Sequence, residues 1–188
     1  MTAYPTVPAY ITVCHGWEER FKEHPVWAWM FEFSEAFDRG NLKSTPFAKN
    51  PYHTADFTYN FNGAVTTGGE AAWNASLQVY GPFTEHFHEP AFVVIFETAV
   101  GYELIGIANL FANLPVPGEQ TKVDLSGKKW DIGAPGCFHF KFINDATGSR
   151  GLKMSEQNLY GDGLTLVAPM VQRGMITAEQ AFAGLPKA

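Results

Sequence analysis

Residues 25–41 read PVWAWMFEFSEAFDRGN, and this stretch decides how the rest of the chain folds. Pro25 suits the first turn of a helix, where a missing N–H has no partner to lose. Behind it, Val26, Met30, Phe33 and Phe37 follow the i, i+4, i+7 rule, and Trp27, Trp29 and Phe31 widen the stripe. Gly40 supplies the stop. The spacing predicts a helix over 26–39 with rings on most sides, clamped inside the protein rather than displayed.

Outward from this helix the pattern changes. Upstream, a Pro-containing tail leads into a predicted short helix over 17–24. Downstream, a loop over 41–51 precedes an extended piece over 52–61, closed by the turn pair Asn62-Gly63. Gly68-Gly69-Glu70 opens a second helix with Ala72, Trp73, Leu77 and Tyr80 on one face, and Gly81-Pro82 breaks it. The period then shifts from 3.6 to 2, and 92–98, 102–114, 137–144 and 152–160 read as strands. Residues 115–136 form a long Gly-, Pro- and Lys-containing connection, with room for a short edge strand. A last helix over 164–173 ends at Gly174, and Thr177-Ala178-Glu179-Gln180 has the form of a capping box. Helices first and antiparallel strands later predict an α+β fold, with the helices on one face of the sheet.

Composition supports one core. The 188 residues are 46% hydrophobic and 17% charged, with 16 Phe, 7 Tyr and 5 Trp. Surface scaling gives roughly 9,000 Å² folded against about 30,000 Å² unfolded, enough burial to dispense with metal or disulfide staples. The expectation is a single domain over 1–188 with its core about 25–175. A net charge of −6 and scattered Lys and Arg argue against nucleic acid. The apolar run 91–96 is too short to span a membrane. Neither G-x-x-x-x-G-K nor G-x-G-x-x-G occurs, so nucleotide binding is not expected. Met1-Thr2-Ala3-Tyr4-Pro5 carries no basic start before an apolar stretch, and Cys14 and Cys137 lie far apart. Both point to a cytoplasmic protein with two buried thiols.

The order of elements, with its local signatures, resembles the NTF2-like superfamily, and within it the SnoaL-like cyclases and scytalone dehydratase. The signatures are Phe37-Asp38-Arg39-Gly40-Asn41 at the helix end, Tyr52-His53-Thr54-Ala55-Asp56-Phe57, and the Asn-Gly turn before a Gly-Gly-Glu helix start. Leu159-Tyr160-Gly161-Asp162 and Met170-Val171-Gln172-Arg173-Gly174-Met175 complete the set. The resemblance covers roughly 25–175. It implies a cone: a curved antiparallel sheet wrapped around the helices, with an aromatic pocket inside. It also implies cofactor-free cyclisation, dehydration or isomerisation, and a homodimer formed through the open sheet face.

In such a pocket, burial raises a carboxyl pKa and lowers a histidine's, bringing both toward neutrality for proton transfer. The resemblance puts Asp162 first, as a pocket aspartate ending the last long strand; the competing reading is a plain Asp-Gly turn. Asp38 stands where scytalone dehydratase has a Tyr-Asp pair, with Phe37 replacing the tyrosine, and Tyr59 resembles that enzyme's second tyrosine. His86 and His88, two apart, point the same way in a strand, and His88 is the one the resemblance selects. His53 and Asp56 are spaced for a His-Asp couple across a turn. Glu97 interrupts an apolar strand, and His139 and Lys141 alternate with Phe138, Phe140 and Phe142. Trp29, Phe33, Trp73, Phe140 and Tyr160 are the expected substrate-facing rings, and no metal site is expected. The expectation is a cofactor-independent cyclase, isomerase or dehydratase acting on a hydrophobic oxygenated small molecule of polyketide or terpenoid type. Asp162 and His88 would exchange protons while Tyr59 and Asp38 hydrogen-bond substrate oxygens. The alternatives are a non-catalytic ligand-binding or dimerisation module of the same fold, or a cupin-like metal oxygenase using His86, His88, Glu97 and His139.

Overall fold

A computed structural model describes residues 8–182. The N-terminal stretch 1–5, read above for a leader, lies outside them. In chain order the elements are β1 (Ala9–Val13), α1 (Pro25–Asp38), β2 (His53–Phe61), β3 (Ala64–Thr66), α2 (Glu70–Tyr80), β4 (Glu85–Glu97) and β5 (Gly101–Asn113). There follow β6 (Lys122–Val123), β7 (Lys129–Trp130), β8 (Ile132–Asn144), β9 (Leu152–Gly161), α3 (Gly163–Gln172) and α4 (Ala178–Phe182). Seven strands form one open, curved sheet in the order β1-β4-β5-β8-β9-β2-β3. All neighbours are antiparallel except β2 and β9, which run parallel. Register shifts at Pro90/Phe92 and Lys141/Phe142 bend the long central strands, as bulges do.

The aromatic helix lies inside the curve. Val26, Trp27, Trp29, Phe33 and Phe37 are all nearly inaccessible. Trp29 packs edge-on to Phe142 at 4.9 Å and donates its indole N–H to the Leu152 carbonyl at 3.1 Å, tying α1 to the sheet. At its end Gly40 takes a φ of +74°, and the Asn41 N–H reaches back to the Ala36 carbonyl at 3.0 Å. Gly69, just before α2, has a φ of +50°, and a Cβ there would lie 2.0 Å from the Ala55 carbonyl oxygen. Only glycine lets α2 start so close to β2.

Four readings of the sequence need correction. Residues 9–13 are a strand pairing with β4, not part of a tail. The helix expected over 17–24 is only a 3₁₀ turn, Glu19–Glu23. β4 and β8 begin earlier than expected, at Glu85 and Ile132, because Pro90 and Pro135 argued against strand. Both prolines are tolerated where a neighbouring strand has ended: β1 reaches only Phe92, and β9 only Gly136. Cys137 is exposed, while Cys14 is buried. Within 115–136, β6 and β7 form a hairpin whose Trp130 covers Phe87 and Phe111 on the outer sheet face. The capping box forms as read, with the Thr177 and Gln180 backbone N–H groups each meeting the other's side chain. No helix among the described residues is long and apolar enough to cross a membrane.

Candidate active site

Between the helices and the concave sheet lies a chamber of about 130 Å³. That is close to the roughly 150 Å³ cavity known to accept benzene, so a single ring fits. Phe33, Phe37 and Trp73 face it from the helices, and Leu104, Phe138 and Phe140 from the sheet. Its polar side chains include Ser34, Ser76, Tyr80, His88, Cys137, Gln157 and Tyr160, with the exposed Asp162 at the mouth.

Three elements bring the central group together. Asp38 is the last residue of α1, where a carboxylate opposes the helix dipole and needs other partners. It finds them on β4. The His88 backbone N–H donates to Oδ2 at 3.2 Å, and His88 Nδ1 lies 2.7 Å from Oδ1. Because an ionised carboxylate only accepts, Nδ1 carries the proton and Nε2 is left with its lone pair. Nε2 points to the hydroxyl of Tyr80, the last residue of α2, at 3.0 Å. Burial, and then the nearby Tyr59 and Asp38, push the Tyr80 phenol far above its ordinary value, so it stays protonated and donates. His86, on the same strand face, is packed between Phe37 and Tyr80 with Nε2 3.6 Å from Asp38 Oδ1. That is too long for a hydrogen bond. Burial, and then the neighbouring His88, lower its pKa to about 4.

The other expected residues fall in different places. Tyr59 is buried beside Gln157 in the β2–β9 register; its hydroxyl and the Gln157 Oε1 have no partner. Asp162 caps α3, accepting from the Leu164 N–H at 2.9 Å and the Thr165 hydroxyl at 2.7 Å. Those bonds hold its carboxyl below the usual range. The His53–Asp56 couple does not form: the His53 ring is enclosed by Phe33, Phe57 and Trp73 with both nitrogens unpartnered, and Asp56 is exposed. Three residues apart in a strand, the two face opposite ways. Trp29 is core and does not line the chamber, whereas Phe33, Trp73, Phe140 and Tyr160 do. Glu97 is exposed at the end of β4, and His139 pairs with Glu103 at 2.6 Å on the outer face. The four residues of the cupin-like reading therefore do not converge. Among the described residues no three His, Cys, Asp or Glu side chains gather as metal ligands. Tyr80 and Gln157 were not singled out from the sequence. Tyr80 was legible only as one of four apolar-face residues on its helix.

No family profile matches the sequence, and no curated protein matches it. Solved structures do. The Kfla4162 protein from Kribbella flavida is 17% identical, with a TM-score of 0.55 over 77% of this chain and 92% of its own. An NTF2-like superfamily protein from Salmonella enterica is 10% identical, with a TM-score of 0.52 over 71% and 86%. A hexachlorocyclohexane dehydrochlorinase, LinA-type3 from Novosphingobium barchaimii, is 14% identical, with a TM-score of 0.50 over 73% and 84%. At such identities the likeness is one of architecture. The chain has the NTF2-like fold.

Proposed function

We propose that the protein is a cofactor-independent cytoplasmic enzyme that starts a cyclisation, isomerisation or elimination by taking a proton from a hydrophobic, oxygenated small molecule. The observation that carries this is the 2.7 Å contact between Asp38 and His88, with His88 Nε2 turned into an apolar chamber the size of one ring. Asp38 fixes the tautomer and supports the imidazolium that forms, while Nε2 accepts the substrate proton. Tyr80, bonded to Nε2 at rest, then donates to the oxygen on which negative charge develops. Asp162, whose carboxylate holds the start of α3, is assigned to the chamber mouth rather than to proton transfer. A neighbour in fold, itself a dehydrochlorinase by name, is consistent with elimination chemistry in such a chamber. We infer as well that two copies pair through the outer sheet face.

The test is incubation of the protein in D₂O with a metabolite extract, followed by mass spectrometry. Wild type converts, or exchanges deuterium into, one or a few oxygenated ring compounds. Asp38→Asn lowers that rate about 10²- to 10⁴-fold, and His88→Ala does so at least as strongly. Compounds that bind but are neither converted nor labelled would mark the protein as a ligand-binding module.

A further inference from the structure

Beside the chamber, where the end of α1 meets the start of β4, Asp38 and His86 line a separate cavity of about 440 Å³, which shares only Trp17 with the chamber among its lining residues. The two are its buried floor, with side chains 13% and 3% exposed. Trp17, Phe31, Phe87 and Trp130 provide aromatic walls.

Three observations describe what this cavity would hold. His86 Nε2 is buried, has no hydrogen-bond partner, and stands beside the Asp38 carboxylate. The lining carries four carboxylates, Glu35, Asp38, Glu85 and Asp124, against two cations. Both cations are already engaged, Arg39 by Glu35 at 2.6 Å and Lys128 by Glu85. The aromatic walls also attract ammonium groups: Lys128 Nζ lies 4.0 Å from the centre of the Trp130 ring, and Lys22 Nζ lies 3.7 Å from that of Phe31. An anion would meet an excess of carboxylates, and a neutral ligand would leave that negative charge uncompensated.

We propose that this outer cavity binds an organic ammonium, with its N–H groups on His86 Nε2 and Asp38 and its hydrocarbon body against the aromatic walls. At neutral pH His86 is uncharged, so in the tautomer that leaves Nε2 unprotonated it offers a lone pair to the ammonium. Lys128 is an internal competitor for the Trp130 face. The site is thus distinct from the chamber but touches the same carboxylate that orients His88.

Benzylamine, charged at pH 7, and benzyl alcohol, its neutral counterpart in shape, test this by NMR, with the Trp130 indole N–H as reporter. Benzylamine is expected to shift that signal saturably and to bind at least tenfold more tightly than the alcohol. Lys128→Ala, at a half-exposed position, is expected to tighten benzylamine binding several-fold by vacating the ring. His86→Phe is expected to abolish the preference for the amine. Equal affinity of the two probes, weaker binding by Lys128→Ala, or shifts confined to Trp27 and Trp73 of the chamber would each overturn the proposal.

Discussion

At the scale of single residues, His53 sits with its ring 4.3 Å from Phe57 and 4.7 Å from Trp73, and neither nitrogen meets a partner. Burial lowers its pKa to about 3, and His86 to about 4. The folded protein therefore refuses two protons that the unfolded chain accepts from about pH 6.5 downward. Stability from both is complete above that pH and is lost as pH falls through the window toward 4 for His86 and 3 for His53. Below 6.5 each contributes a slope of about 1.4 kcal/mol per pH unit, so about 2 kcal/mol each has gone by pH 5. Urea unfolding at pH 7.5 and 5.0 checks this: His53→Gln should lose about 2 kcal/mol less than wild type between the two. A His53 imidazole titrating near 6.5 by NMR would show that it is not held neutral. The same residues mark the limit of reading a sequence. Asp38, His53 and His88 were each noticeable by type, but their partners were not. Asp38 meets His88 across 50 positions through where β4 begins, and a proline obscured that start. His53 was given Asp56 as a partner because sequence spacing does not show which face of a strand each residue takes.

At the scale of elements, α3 closes the chamber mouth with Leu166 and is fastened beyond its C-terminus. Arg173 donates to Asp131 at 2.7 Å and to the Val116 and Glu119 carbonyls, while the Leu114 N–H donates to the same carboxylate. Burial opposes ionisation of Asp131, but these bonds outweigh it and hold its carboxyl low. The pair's side chains are 11% and 4% exposed, so the interaction is shielded from solvent. Arg173→Met leaves Asp131 as a buried charge without its cation and should destabilise the protein by about 3 kcal/mol. Urea unfolding measures that loss, and limited proteolysis should show cleavage moving into the α3 region. Cleavage unchanged in position and rate would mean that α3 is held by its apolar face alone. The helices were legible because periodicity and stop signals agree within one segment: Pro25, the ring stripe and Gly40 all describe α1. This fastening was not, since Asp131 lies in a stretch read only as a long connection.

At the scale of the whole molecule, the long strands have two faces with different tasks. On β5, Leu104, Ala108 and Leu110 point into the chamber, while Ile105 and Ile107 point outward and are 44% and 42% exposed. Their register partners on β4 are Val94 and Phe92, which pair in turn with Ile11 and Val13 of β1, both more than 60% exposed. The result is an apolar patch across three strands. His139–Glu103 and Lys141–Glu156 border it. Alternation along β5 and β8 announced a two-faced sheet. The parallel pairing of β2 with β9, which sets strand order, has no local signal, because nothing within either strand prefers one neighbour's direction. Monomers rarely leave such a patch in water, and a two-fold partner would bury it against its own copy with the charged pairs at the rim. Light scattering on the purified protein at micromolar concentration should give twice the monomer mass. Ile105→Asp with Ile107→Asp should give the monomer, with no change in the Trp73 environment because that ring faces the other side of the sheet. A wild-type protein monomeric up to about 100 µM would rule out a dimer of the usual interface strength. It would leave the outer face as exposed surface, independent of the chemistry assigned to His88.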